Sequence, residues 1–127
     1  MRSFEFINAN SYEEAAELLK TSPASTVDVM AGGTDLLNTY KQKILKEHPE
    51  KVMNLKSIPD SEGIASENGT ITIKANTKLT AIAEDASLPD AVKQAAYSVA
   101  SPLIRNMATI GGNICQDVRC WYYRYRY

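Results

Sequence analysis

Two apolar periodicities share this chain, and they change over near residue 56. Phe4, Phe6 and Ile7 open as a short strand. Ser11 and Glu14 then stand three apart, the spacing of a capping box, ahead of an apolar stripe at Ala15, Leu18 and Leu19. That helix must stop before Pro23. Thr26 to Met30 reads as a second strand. From Thr34 to about Lys46, Leu36, Leu37, Tyr40, Ile44 and Leu45 recur at helical spacing. Lys51-Val52-Met53-Asn54-Leu55 is a third strand. A β-α-β-α-β order predicts parallel strands joined by crossover helices.

Past a connector from Ser57 to Gly63, alternation of period two takes over. Ile64 to Ser66 and Thr70 to Ala75 flank Glu67-Asn68-Gly69, an Asn-Gly hairpin signal. Leu79 to Ala86 predicts a short helix. Pro89 to about Ala100 predicts another, with Val92, Ala95, Ala96 and Val99 on its inner face. The chain thus reads as an α+β protein of two units. Residues 1–56 make a small β-α-β-α-β unit; residues 57–127 make an incomplete antiparallel sheet with helices.

Composition narrows the function classes. Lys+Arg 14 against Asp+Glu 15 gives a net charge of −1, so nothing draws nucleic acid or an anionic membrane. No apolar run approaches a membrane span, and Met1-Arg2-Ser3-Phe4-Glu5 is no secretory leader, so a cytoplasmic location is expected. The chain from Trp121 to Tyr127 holds the only tryptophan and four of the seven tyrosines. Such a stretch predicts that the core continues past residue 127, and that this chain alone self-associates through it.

Candidate chemistry lies in two glycine pairs. Met30-Ala31-Gly32-Gly33-Thr34-Asp35-Leu36-Leu37 runs from strand to helix start. Its glycines permit a close backbone approach, and N–H groups at a helix start attract phosphate. Taken alone it is equally a plain turn, with Thr34 or Asp35 as cap. Thr109-Ile110-Gly111-Gly112-Asn113 is a second such loop. One loop in each unit, facing across a cleft, can wrap a diphosphate from both sides with backbone donors and little positive charge.

Ala31-Gly32-Gly33-Thr34-Asp35-Leu36-Leu37, together with Ile104-Arg105-Asn106-Met107-Ala108-Thr109-Ile110-Gly111-Gly112-Asn113, resembles the FAD-binding subunit of the molybdenum hydroxylases, the xanthine dehydrogenase and carbon monoxide dehydrogenase group. The resemblance implies a two-subdomain FAD-binding fold of the PCMH/vanillyl-alcohol-oxidase type. It implies that Val29, Met30, Ala31, Gly32, Gly33, Thr34, Asp35 and Leu36 hold the diphosphate and ribityl oxygens. Thr109, Ile110, Gly111, Gly112 and Asn113 would act from the other side, Val99 near the adenine, and Asp117 on the ribityl chain. It further implies an oxidoreductase subunit that passes electrons between iron–sulfur centres and an external acceptor or donor, beside a molybdopterin-binding large subunit and a [2Fe–2S] small subunit. Cys115-Gln116-Asp117-Val118-Arg119-Cys120-Trp121-Tyr122-Tyr123 is similar to the flavin subunit of 4-hydroxybenzoyl-CoA reductase, which implies Cys120, and less so Cys115, as [4Fe–4S] ligands. Four thiolates are needed and the chain has two cysteines.

The remaining polar residues add no catalytic site. His48 is the only histidine and precedes Pro49 in a polar loop, so no triad or histidine metal cluster is expected. Ser11, Ser101 and Thr34 have no base partner in the pattern. Asp35 reads as a cap or a hydrogen-bond acceptor before a general base. Two other classes stay open on the residues alone: a non-catalytic α/β interaction module, and a stand-alone flavin oxidase of the same fold.

Overall fold

The computed structural model describes residues 2–44 and 48–124. In the first unit β1 (Glu5–Asn8), α1 (Tyr12–Thr21), β2 (Val27–Met30), α2 (Leu36–Lys41) and β3 (Lys51–Asn54) follow one another. The strands form one parallel sheet in the order β1-β3-β2, with Lys51 opposite both Glu5 and Val27. The middle strand is covered on both faces, so its centre is the apolar pair Val52 and Met53, both fully buried. Ala9, Ala15, Met53 and Ile58 form the buried cluster beneath α1, ringed by Ile7, Leu18, Val27 and Leu55.

The Ser11 cap forms, with its Oγ accepting from the Glu14 N–H at 3.0 Å. Caps of this kind contribute about 1 kcal/mol. The reciprocal half differs from a capping box: Glu14 Oε2 accepts from the Asn10 N–H at 2.7 Å and from Asn10 Nδ2 at 3.0 Å. The acceptor therefore reaches one residue farther back than the motif predicts.

Helix α2 is shorter than its apolar stripe suggested. The Lys43 N–H bonds the Tyr40 carbonyl and the Ile44 N–H bonds the Thr39 carbonyl. This is a Schellman closure with Lys43 at φ 55° in the left-handed position. Glycine usually occupies that place, so the sequence carried no stop signal. Leu45 and Lys46, the rest of the expected helix, lie outside the described residues.

The second unit contains an antiparallel hairpin and a set of short helices. Strands β4 (Ile64–Glu67) and β5 (Thr70–Ile73) pair with Glu67 opposite Thr70. Asn68 and Gly69 both take positive φ, the type I′ turn their sequence demands. Helices α3 (Leu79–Glu84) and α4 (Asp90–Tyr97) pack on each other. Leu79, Ile82, Leu88, Ala96 and Ala108 are the buried core here, with Ile64, Ile71 and Ile73 of the hairpin against it. Each fully buried Leu or Ile contributes on the order of 2 kcal/mol.

Two expectations for this unit change. In α4 only Ala96 is buried and Val99 follows half-buried, while Val92 and Ala95 face outward. The helix meets α3 along a narrow stripe, narrower than the expected face. The loop read over Thr109 to Asn113, with the residues leading into it from Ser101, holds two short helices, α5 (Pro102–Arg105) and α6 (Ile110–Ile114). Ser101 caps the first, and Thr109 caps the second by accepting the Gly112 N–H at 3.2 Å. A last turn, α7 (Trp121–Arg124), ends the described chain. Among the described residues, no helix is long and apolar enough to cross a membrane.

Candidate functional site

The two glycine loops meet. Gly32 lies so close to the second unit that a Cβ there would sit 2.3 Å from the Met107 carbonyl oxygen and 2.8 Å from Ala108 Cα. Gly33 adopts φ 69°, the left-handed region that side chains resist. The second pair serves a different purpose. A Cβ on Gly111 would meet the Ala75 carbonyl oxygen at 2.9 Å. Neither Gly111 nor Gly112 has positive φ, so close approach alone selects glycine there.

Between the loops opens a cavity of about 1430 Å³. Of the residues singled out in the sequence, Val29 to Leu36, Val99, Thr109, Gly111, Gly112, Asn113 and Asp117 all line it, as does Cys115. Ile110 does not; it packs into the second core. Cys120 is not part of the lining either.

The loops differ in what they offer a ligand. Among the described residues, no acceptor meets the N–H groups of Gly32, Gly33, Thr34, Asp35 and Leu36. Their neighbouring carbonyls are occupied: Gly33 O accepts from the Leu37 N–H, Asp35 O from the Thr39 N–H, and Thr34 O from Asn38 Nδ2 at 2.9 Å. A loop with carbonyls engaged and donors open presents positive partial charge to the cavity. In the second loop the donors are used. The Ile110 N–H bonds Thr77 O, the Gly111 N–H bonds Ala75 O, and the Asn113 N–H bonds Thr109 O, at 2.8 to 2.9 Å. The expected two-sided cradle of backbone donors is therefore one-sided. The second loop supplies a wall, with the Thr109 and Asn113 side chains on it.

Asp35 departs from its expected part. It sits at the start of α2 in helical conformation and makes no cap bond. Instead Arg124 grips its carboxylate with both nitrogens, Nη1 to Oδ1 at 3.0 Å and Nη2 to Oδ2 at 2.7 Å. Arg119 Nε approaches Oδ1 at 3.4 Å. The Arg124 hydrogen bonds hold the Asp35 carboxyl below the usual carboxylate range, against partial burial. A lowered native pKa means the pair stabilises fully above the unfolded value, about 3.9. That contribution is lost only as pH falls through the native one.

Asp117, expected on the ribityl chain, turns its Oδ1 to the Val118 N–H at 2.8 Å, and its carbonyl accepts from Arg124.

Three interactions stand out beyond those read from the sequence, where Arg105 appears only within the second-loop motif. Tyr40, fully buried on α2, donates to Asp28 Oδ2 on β2 at 2.5 Å. Burial and then that carboxylate push the phenol well above its usual value. This bond ties together the two elements that carry the first loop. Arg105 is buried and donates through Nη1 to the carbonyls of Val99 at 2.8 Å and Ala100 at 3.2 Å. Its guanidinium carbon lies 4.7 Å from the Tyr97 ring centre. Ala100, at φ 45°, lines the cavity beside Val99, so Arg105 holds a strained wall in place. Arg124 is the third.

His48 packs against the Phe4 and Tyr40 rings, with Nδ1 3.0 Å from the Pro49 carbonyl oxygen, and belongs to the core rim. Cys115 and Cys120 are both exposed and unpaired. Among the described residues no three His, Cys, Asp or Glu side chains converge as a metal site. Two thiolates do not complete a [4Fe–4S] cluster.

A parallel β-α-β-α-β unit and a hairpin-and-helix unit, closing two glycine loops on one cavity, make up an α+β fold. The chain belongs to the family described as "FAD binding domain in molybdopterin dehydrogenase", which it matches over residues 2–119. It is 36% identical over 117 residues to the nicotinate dehydrogenase FAD-subunit of Eubacterium barkeri, covering 90% of this chain and 39% of that protein. It is 34% identical over 115 residues to the carbon monoxide dehydrogenase medium chain of Hydrogenophaga pseudoflava, covering 87% of this chain and 39% of the relative. A solved carbon monoxide dehydrogenase from the same organism superposes with a TM-score of 0.81 at 30% identity, over 89% of this chain and 39% of that one. The chain thus spans 39% of the length of these relatives.

Proposed function

We propose that the chain binds FAD in the inter-loop cavity, as the flavin-holding part of a molybdenum-dependent oxidoreductase subunit. The observation that carries this reading is the row of N–H groups from Gly32 to Leu36, without acceptors among the described residues, on residues that line a cavity whose opposite wall is the second glycine loop. Diphosphate is the group such a row suits, because it accepts several hydrogen bonds and spreads its charge over the oxygens. Val29, Met30 and Ala31 flank the row. Thr109, Gly111, Gly112 and Asn113 form the far wall, with Ile110 anchoring it from the core. Val99 and Ala100, fixed by Arg105, form the remaining side, which suits the adenine. When bound, FAD supplies the redox chemistry, and the protein's part is to hold, orient and shield it.

In the whole protein, the proposed partners are a molybdopterin-binding large subunit and a [2Fe–2S] small subunit, in the cytoplasm. Electrons pass between those centres and an external acceptor or donor. Residues 1–56 and 57–127 act as the two subdomains that close on the flavin. Cys120, ahead of Cys115, is proposed as one of the four thiolates of a [4Fe–4S] site in that longer protein. Self-association of this chain is supported by the large exposed side chains Leu103, Ile114 and Tyr122. Tyr125, Arg126 and Tyr127, the end of the expected contact, lie outside the described residues.

Titration of the purified chain with FAD and with FMN tests the cofactor. FAD should shift its visible spectrum on binding with Kd on the order of 1 μM or tighter, and FMN should bind about 100-fold more weakly, lacking the second phosphate and the adenine. FMN binding as tightly as FAD, or neither flavin binding at about 100 μM, overturns the reading.

A further inference from the structure

The segment from Cys115 to Arg124 leaves α6 and crosses to the first glycine loop, yet apolar burial does not hold it there. Val118, Trp121, Tyr122 and Tyr123 all remain more than half exposed. Its attachment is a polar knot on the Asp35 carboxylate, where Arg119 Nε comes to 3.4 Å, Gln116 also hydrogen-bonds, and Arg124 makes the paired grip. Arg124 grips Asp35 with both terminal nitrogens and reaches Thr39 Oγ1 at 3.4 Å. It also gathers the segment's own carbonyls, Val118 through Nε at 2.8 Å and Asp117 through Nη2 at 3.0 Å. Arg124 is 11% exposed and Asp35 21%, so the pair is shielded from solvent. Paired, planar, shielded geometry of this kind is the ion pair that resists exchange with water.

What the knot fastens is the cavity wall. Gln116, Asp117, Arg119, Tyr122, Tyr123 and Arg124 line the cavity from this segment. The anchoring carboxylate belongs to Asp35, whose own N–H is one of the open donors. The partners are 89 residues apart, and the segment contributes nothing to either buried cluster. It can therefore lift without disturbing either core. Arg124 also lies beyond residues 2–119, the part that matches the family.

We propose that residues 115–124 form a strap across the mouth of the cavity, latched by Arg124 on Asp35, and that the latch must open for the dinucleotide to exchange. Arg124 is a positioning residue in this scheme. The proposal rests on the FAD reading for the identity of what is exchanged, while the latch itself is a property of the unliganded chain. Closing over a bound flavin slows its escape and keeps water from its mouth-facing side.

The test has two arms on the full chain. Without flavin, trypsin cleavage after Arg119 is timed in the wild type and in Arg124→Gln. Cleavage about tenfold faster in the variant, with unchanged rates at sites in the first unit, is expected for a released strap. Loaded with FAD, the same proteins are diluted into apo-flavoprotein scavenger and flavin loss is followed. Arg124→Gln should release FAD about tenfold faster, and Arg124→Lys, which keeps the charge without the paired grip, should fall between. Unchanged cleavage shows that Arg124 fastens nothing and overturns the latch. Faster cleavage with unchanged flavin loss overturns the strap while leaving the FAD reading intact. A wild type that takes up no FAD overturns the proposed function and the gating with it, whereas the trypsin arm still reports separately on the latch.

Discussion

Gly32→Ala should cost about 3 kcal/mol of stability and weaken FAD binding more than tenfold. The added methyl group would lie 2.3 Å from the Met107 carbonyl oxygen, 2.8 Å from Ala108 Cα and 2.9 Å from the Met107 carbonyl carbon. All three are backbone atoms, so no side chain can rotate away. Met107 and Ala108 are themselves pinned: their N–H groups bond the Ile104 carbonyl, and Ala108 O accepts the Leu79 N–H at 3.0 Å. Relief must come from moving the first loop away from the second unit. That shift widens the cavity where the open N–H row faces its wall, so stability and binding fall together. Gly69→Ala is the control, since a Cβ there meets nothing within 4 Å and φ 76° alone resists it. It should lower stability by about 1 kcal/mol without touching flavin affinity. Urea denaturation and flavin titration on both variants separate the two effects.

Arg105→Met should destabilise by about 2 to 4 kcal/mol, despite keeping much of the side-chain volume. Two carbonyls, those of Val99 and Ala100, lose their shared charged donor, and the Tyr97 ring loses its cation. Ala100 is held at φ 45° partly by those bonds, so its strain is released into the cavity wall. Arg105→Lys places one charge where Arg spans two carbonyls, and should recover only part of the loss. If Arg105 positions the adenine side, flavin discrimination should erode as well. Affinity for FAD falls in the variant while affinity for FMN stays level. A uniform fall for both flavins would mark Arg105 as a purely structural residue.

Much of this arrangement was legible in the residues because local chemistry wrote it. Asn68-Gly69 dictates a type I′ turn, and Ser11 with Glu14 fixes where α1 begins. The apolar runs at Val27–Met30 and Lys51–Asn54 suit a covered parallel sheet. The glycine pairs pointed to the cavity, and nearly every residue named from them lines it. What stayed hidden depends on distant partners. Whether a loop N–H is open or used turns on carbonyls such as Ala75 and Thr77, more than thirty residues before the second loop. The Asp28–Tyr40 bond and the Arg124–Asp35 pair join residues that no local pattern connects. The end of α2 was missed because Lys43 fills a position where glycine is the usual signal.

Hydrogen exchange of the backbone amides, with and without FAD, tests the one-sided cradle most directly. In the free chain, the amides of Gly32 to Leu36 should exchange fast, having no acceptor among the described residues, while Ile110, Gly111 and Asn113 are already protected. Adding FAD should slow the first set by about a hundredfold and leave the second almost unchanged. Protection gained at residues 110–113 with none at 32–36 would contradict the account.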